Sequence, residues 1–253
     1  MVLRPINSTA WLLVLVLSWI SRLTRASPIP AEKRQSWTGM WSEELSYTGC
    51  KPVIFIFARE TIAPGNMVRD PPQNTRHFSH AHEANKDTMG QGITIGPLLS
   101  NGLKTYFGAE NVASQGVNYL GLIETNYYPG GGPPVGIYEM QALLTNAATY
   151  CPQSRIVAAG YSQGAAITHR AVEGLPQPVK DRIAGVVTFG DTQALQDGGR
   201  IKGFPVDRTL IICNPGDVIC AGYMWVVPVH FYYVQRVPEG LAFLIGRILL
   251  SPL

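Results

Sequence analysis

Short, unbroken apolar runs alternate along this chain with longer amphipathic stretches, and the alternation predicts both the elements and their order. Val53-Ile54-Phe55-Ile56-Phe57 is the first run, and its continuous apolar character suits a strand covered on both faces. Further strand-like runs fall near Val112 to Tyr119, at Arg155-Ile156-Val157-Ala158-Ala159, at Ala184 to Gly190 and at Thr209-Leu210-Ile211-Ile212. Helical patterns lie between them: around Pro97 to Phe107, at Tyr138 to Tyr150 after the Gly130-Gly131-Gly132-Pro133-Pro134 breaker, and at Gln163 to Glu173 before Gly174 and Pro176. The apolar tail from Leu241 to Leu250 reads as a C-terminal core helix. Five strands alternating with helices predict one α/β domain, a three-layer α/β/α sandwich around a central parallel five-stranded sheet. Reactive groups in such a sheet gather beyond the carboxyl ends of its strands, and Ser162, Asp191 and the loop at Cys213 fall at such ends.

The first residues follow a different pattern. Arg4 precedes an 11-residue apolar stretch from Ala10 to Ile20, too short for the ~20 residues of a membrane span, so residues 1–26 read as a secretory signal peptide. Residues 27–34 then read as a short propeptide ending at the dibasic pair Lys33-Arg34, and residues 35–253 as a single domain. This changes the meaning of the charge. The leader carries Arg4, Arg22, Arg25, Lys33 and Arg34 against Glu32, a net of +4, while the whole chain is +3; the mature protein is therefore −1. No electrostatic case for nucleic acid remains, and no other segment is long and apolar enough to cross a membrane. A secreted, extracellular monomer is expected.

All four cysteines, Cys50, Cys151, Cys213 and Cys220, lie in the mature part. An even count behind a signal peptide reads as two disulfides formed in an oxidising compartment. Of three pairings, the short spacing favours Cys213 with Cys220 across a tight loop, leaving Cys50 for Cys151. No close Cys/His spacing supports a zinc site, and neither metal nor cofactor is expected.

The candidate chemistry centres on Gly160-Tyr161-Ser162-Gln163-Gly164. A strand leads in and a helix leads out, which is the setting of a nucleophile elbow. A serine hydroxyl attacks only when a base takes its proton. Of five histidines, His77, His80 and His82 lie in one polar stretch, and His169 sits seven residues into the elbow helix, roughly 10 Å down its axis. His169 reads as a surface or packing residue, so His230 is the base. An acid must steady the imidazole. Asp217, in the Cys213–Cys220 loop, is the first choice and Asp191 the second. The backbone amide of Gln163 supplies one oxyanion donor, and the loop after the first strand, with Thr61, supplies the other.

These motifs resemble those of the fungal cutinases, small secreted serine esterases. The residues that carry the resemblance are Phe57-Ala58-Arg59 with Pro64-Gly65-Asn66, the elbow pentapeptide, Gly199-Arg200-Ile201 before Pro205, the Cys213…Gly216-Asp217…Cys220 loop, and a histidine thirteen residues after the aspartate. The resemblance implies a lidless α/β-hydrolase with flavodoxin-like strand order and a Ser162–Asp217–His230 triad. It also implies an oxyanion hole from Thr61 and Gln163 and the bridges Cys50–Cys151 and Cys213–Cys220. Glu60 departs from the glycine of many cutinases, and Ala58-Arg59-Glu60-Thr61 looks like the related acetylxylan esterases. The apolar loop around His230, with Met224, Val226 and Phe231 as candidate substrate contacts, favours an insoluble polyester such as cutin or a lipid-like ester. The expected function is hydrolysis of cutin-like polyesters and short-to-medium acyl esters. An acetylxylan esterase and a catalytically inactive surface-binding protein are the alternatives.

Residues 68–91 do not fit the alternation. They are polar, aperiodic and 24 residues long, more than compact domains ordinarily leave without structure. Three readings stand: a flexible loop, a metal site built on His77, His80 and His82, and an intron retained in the translated sequence. The last is preferred. Val68 permits a GT start, Gln91 permits a CAG end and Ala84-Asn85 permits a GCTAAC branch sequence; deleting the stretch joins Met67 to Gly92, restoring the run that the resemblance leads one to expect.

Overall fold

The unbroken run at 53–57 becomes strand β1 (Val53–Ala58), every residue of it buried. Its alternate side chains enter two different cores: Ile54, Ile56 and Ala58 join one cluster, Val53, Phe55 and Phe57 the other. A strand that must satisfy both faces has no polar position to spare, which is why its sequence lacks a period of two.

The computed structural model describes residues 37–63, 65–67 and 95–251. In chain order the remaining elements are α1 (Glu44–Thr48), α2 (Ile95–Phe107), β2 (Val112–Gly116), α3 (Pro134–Tyr150), β3 (Arg155–Tyr161), α4 (Gln163–Gly174), α5 (Gln177–Asp181), β4 (Ile183–Phe189), β5 (Thr209–Ile212) and α6 (Val237–Leu250). The strands pair in the order β2-β1-β3-β4-β5, and every neighbour is parallel. That is the expected five-stranded sheet in flavodoxin-like order. Helices α3 and α4 cover one face through Met140, Leu144 and Ile167. On the other face α2 and α6 pack with Leu99, Leu103, Leu244 and Ile248. The order reverses between β1 and β3, so the crevice at their carboxyl ends is where a ligand site belongs.

Several boundaries differ from the sequence reading. Strand β2 stops at Gly116 because Asn66 packs against it: a Cβ on Gly116 would lie 2.4 Å from the Asn66 side chain. Helix α3 begins at Pro134, inside the expected breaker, since proline needs no amide partner in a first turn. The tail helix starts earlier, at Val237. Helices α1 and α5, with five residues each, are too short to leave a periodic signal. The expected signal peptide, the expected propeptide and the stretch at 68–91, including His77, His80 and His82, lie outside the described residues.

The two disulfides join Cys50 to Cys151 and Cys213 to Cys220. The first links the approach to β1 with the end of α3 across 101 residues. Closing so long a loop removes about 4.7 kcal/mol of denatured-state freedom on the chain-entropy account. Replacing Cys50 and Cys151 by serine together should therefore lower stability by roughly 2–5 kcal/mol in urea titration; an unchanged midpoint and slope would contradict this account.

Candidate active site

Strand β3 delivers its chain into a turn that only a tight neighbourhood can hold. Ser162 has φ +55° and ψ −119°, a conformation costing a non-glycine residue about 1–3 kcal/mol. The glycines on either side make it feasible. A Cβ on Gly164 would lie 2.0 Å from the Ala58 carbonyl oxygen, and one on Gly160 would lie 2.2 Å from the Gly164 oxygen. The first turn of α4 thus rests on the end of β1 with no side chain between. The Ser162 N–H donates to the Phe189 carbonyl at 2.9 Å, while its own carbonyl accepts from Ala165 and Ala166.

The three side chains expected from the sequence meet here. Ser162 Oγ lies 2.9 Å from His230 Nε2, and His230 Nδ1 lies 2.8 Å from Asp217 Oδ2. His230 is 3% exposed, so its ring is screened from water although its partner serine opens to the surface. Each member is fixed by contacts the sequence reading had not singled out. The Tyr161 hydroxyl donates to the His230 carbonyl at 2.6 Å, and its ring stacks on the imidazole with centroids 5.4 Å apart. The Tyr233 hydroxyl donates to Asp217 Oδ2 at 2.6 Å and accepts from the Asn214 N–H at 2.9 Å. The Ile219 N–H donates to Asp217 Oδ1 at 3.1 Å. Gly190, at φ +59°, leaves room for the imidazole: a Cβ there would lie 2.8 Å from His230 Cε1. Tyr161 occupies the variable position of the elbow pentapeptide and Tyr233 lies one turn beyond His230, so only the order of residues could have pointed to them.

Asp217 sits where two effects oppose. Burial raises its pKa, but hydrogen bonds from His230, Tyr233 and the Ile219 amide, with the charge on the imidazole, outweigh burial and hold it below the ordinary carboxylate value. The same arrangement, burial first and then the Asp217 hydrogen bond, pushes the Tyr233 hydroxyl upward, so it stays a donor. The structure separates Asp217 from the second-choice acid. Asp191 Oδ2 lies 2.8 Å from His169 Nδ1 and Asp191 Oδ1 accepts from the Gln193 N–H, so Asp191 serves another histidine. His169 itself is fully buried rather than at the surface. Its Nε2 lies 3.0 Å from Asp197, which Arg170 and Lys202 also engage at 2.7 and 2.6 Å. His169, Glu173 and Asp197 could offer three ligand atoms to a metal, yet these two cationic side chains already stand on the Asp197 carboxylate.

The loop after β1 faces the elbow. Arg59 is buried beneath it and donates to the carbonyls of Gly65 at 2.6 Å, Glu60 at 3.0 Å, and Tyr119. The Tyr119 hydroxyl in turn donates to the Arg59 carbonyl, and the guanidinium lies 4.6 Å from the Tyr119 ring centroid. Ile62 is held at φ +55°, with its N–H donating to the Gly121 carbonyl at 2.8 Å. Asn126 links the two expected oxyanion residues. Its Nδ2 donates to Thr61 Oγ1 at 3.1 Å, and its Oδ1 accepts from Gln163 Nε2 at 3.0 Å. Gln163 is the first residue of α4, so its backbone N–H is not used within the helix and points with the positive end of the helix dipole.

Two apolar segments adjoin these groups. Ile62, Leu120, Ile123 and Tyr127 are exposed beside the oxyanion loop, while Tyr223, Trp225, Val226 and Phe231 are exposed beside His230. Met224 is only half-buried. Trp225, at 79% exposure, is the most exposed of these side chains and a departure from what a soluble surface needs.

Glu60 precedes Thr61 and is buried, with Oε1 lacking a hydrogen-bond partner. Burial pushes its carboxyl up to about 8, against opposing contributions from a backbone hydrogen bond and Arg59. An unfolded chain ionises this group near 4.5, so the unfolded state loses its proton first as pH rises. The stability contributed by the neutral carboxyl is complete below the unfolded value and is lost progressively up to about 8. Glu60→Gln should therefore show a smaller fall in Tm between pH 5 and pH 8 than the parent; equal falls in the two melting series would count against a buried neutral acid.

The chain is similar to known proteins in sequence and in fold. The cutinase family's sequence profile matches residues 75–248. The chain is 40% identical to cutinase CUT2 of Pyricularia oryzae over 223 residues, which cover 88% of this chain and 93% of that one. It is 34% identical to probable cutinase 5 of Aspergillus terreus, with 92% and 96% covered. Among solved structures it is similar to a Trichoderma reesei cutinase in complex with a phosphonate inhibitor, at 25% identity and a TM-score of 0.65, covering 83% of this chain and 80% of that one. The catalytic core of an acetyl xylan esterase from Trichoderma reesei shares the fold at 18% identity and a TM-score of 0.53, covering 78% and 99%. The chain belongs to the cutinase family.

Proposed function

We propose that this chain is a secreted serine carboxylic ester hydrolase that cleaves cutin-like polyesters and short-to-medium acyl esters through an acyl-enzyme. The observation that carries the reading is the unbroken chain of hydrogen-bond distances from Ser162 Oγ through His230 to Asp217. In the proposed reaction His230 Nε2 takes the proton as Ser162 Oγ attacks the ester carbonyl, and Asp217 stabilises the imidazolium through Nδ1. The Gln163 backbone N–H and Thr61 donate to the developing oxyanion, which they favour over the neutral carbonyl. Collapse of the tetrahedral intermediate breaks the bond to the alcohol, which leaves with the proton from His230. Water then attacks the acyl-enzyme by the same route and releases the acid. Substrate reaches the serine between the apolar segments at 120–127 and 223–231, where Met224, Val226 and Phe231 are assigned to its acyl part. Ser162→Ala should lower kcat/KM on a butyrate ester by ~10⁴-fold or more while leaving the melting temperature near that of the parent; an active, folded mutant would end the proposal.

A second reading is an acetylxylan esterase, favoured by the shared fold and the Ala58-Arg59-Glu60-Thr61 run. It keeps the same chemistry and changes the substrate. The exposed Trp225 and its apolar neighbours support the polyester reading, since a sugar polymer needs hydrogen-bonding groups at the same place.

Residues 1–26 and 27–34 are proposed to be removed on export, consistent with paired cysteines in the mature part. Residues 68–91 are proposed to be absent from the mature protein. Residues 65–67 and 95 bracket the stretch and lie in the core. Protein made without 68–91 should match or exceed the ester turnover of the full chain; loss of activity on deletion, or mature transcripts reading through the segment, would show the insert to be genuine.

A further inference from the structure

The sheet has a second concentration of chemistry at the end opposite Ser162. Arg155 opens β3, Arg182 precedes β4, Arg208 precedes β5, and Arg247 comes from the last turns of α6. All four line a single cavity of about 280 Å³ with Ser251 and Asp181. Seven residues of β3 at ~3.3 Å each place this cavity roughly 20 Å from the elbow.

Each guanidinium is fixed through one or two of its three nitrogens. Arg155 Nε donates to the Ser251 carbonyl at 3.2 Å. Arg182 Nη2 donates to the carbonyls of Cys151, Pro152 and Ser154. Arg208 Nη1 donates to those of Lys180, Asp181 and Ile183, with its planar group 5.0 Å from the Phe204 ring centroid. Arg247 Nε donates to the Ala184 carbonyl at 3.2 Å, and its Nη1 lies 3.1 Å from Asp207. The remaining nitrogens of all four make no such bond among the described residues, and Arg182 Nε is buried without a partner.

Charge points the same way. Four guanidinium groups stand against two carboxylates, Asp181 in the lining and Asp207 on Arg247. Among the described residues two positive charges remain unbalanced within one small cavity, where the walls lessen screening by solvent. Arg155 keeps Nη1 and Nη2, and Arg208 keeps Nε and Nη2, as adjacent donors without such a bond among the described residues, and two adjacent guanidinium donors are pre-organised for a bidentate oxyanion, which they match better than a lysine does.

We propose that this cavity is a binding site for a tetrahedral oxyanion of the phosphate class, held by Arg155, Arg182, Arg208 and Arg247. Its charge as a dianion balances the cavity, and the volume leaves room for a phosphate monoester as well as for free phosphate. The site is separate from the esterase centre and does not depend on the reading of that centre.

The test is calorimetric titration of the whole secreted protein with inorganic phosphate and, separately, with glucose 1-phosphate. Ionic strength is held constant with chloride. Saturable binding of either anion is expected, with tenfold excess over Kd raising Tm by about 3 °C. The double variant Arg155→Gln/Arg247→Gln should weaken that binding at least ~10-fold, as loss of charge-assisted bonds requires. Tighter binding of the sugar phosphate would identify a monoester as the ligand, and equal binding would identify the free anion. If the double variant does not fold, Arg155→Gln alone, which gives up only the bond to the Ser251 carbonyl, takes its place. Absence of saturable heat with both anions, or an unchanged Kd in a folded variant, would overturn the proposal.

Discussion

The contact on which this structure most depends is the close approach between the end of β1 and the first turn of α4. Ser162 stands at positive φ because Gly164 lies against the Ala58 and Arg59 carbonyl oxygens with no room for a Cβ. Separating the two would release the backbone at Ser162 and widen the gap between the two proposed oxyanion donors at once. The strain at the elbow, of order 1–3 kcal/mol, is small beside the burial that opposes its release. Strand β1 is fully buried, and β3 beside it is buried except at Arg155. Rigid strands therefore set the distance between Thr61 and Gln163, and Asn126 locks their side chains.

The histidine arrives differently. His230 lies on a short 3-10 turn (Pro228–Phe231) that belongs to no strand or long helix, so its position depends on side-chain contacts. Tyr161 holds its carbonyl and stacks on its ring, and Tyr233 and the Ile219 amide fix the acid that holds its Nδ1. The Cys213–Cys220 bridge closes the ring carrying Asp217. A base on a loop is normally free to wander; here two buried tyrosines and a disulfide remove that freedom before substrate arrives.

How much of this was legible in the sequence depends on the range of the interaction. Apolar runs bounded by breakers gave the five strands, because burial on both faces leaves its mark on every residue of a run. The elbow was legible because its glycines, serine and flanking strand and helix are contiguous. His230 followed by elimination, and the Asp217 loop from its cysteines. What stayed hidden was packing between distant segments. Nothing near His169 announces Asp191 and Asp197 as its partners, so a helix position read as surface or packing proved to be the centre of a buried ion cluster. Asn126, Tyr161 and Tyr233 act through contacts 13 to 69 residues away, and an asparagine or a tyrosine carries no local mark of such a role. Helix α3 was placed late because Pro133-Pro134 signals an end as readily as a beginning; only the side of the helix on which proline falls decides between them.

A parallel sheet also explains how the two ends of the molecule come to favour negative charge by different means. At the carboxyl ends of the strands α4 presents its free amides, a setting that favours developing negative charge such as an oxyanion. At the amino ends the helices finish, and their last carbonyls need donors. The sequence supplies arginines: Arg182 reaches the carbonyl at the end of α3 and the turn beyond it, Arg208 those at the end of α5. One guanidinium nitrogen suffices for each set of carbonyls, yet every guanidinium brings a full charge and a further edge. Packing several helix ends beside one another therefore concentrates cations even in a chain whose net charge is only +3. The same directionality that makes one end of the sheet a place for nucleophilic chemistry makes the other end a place for anions.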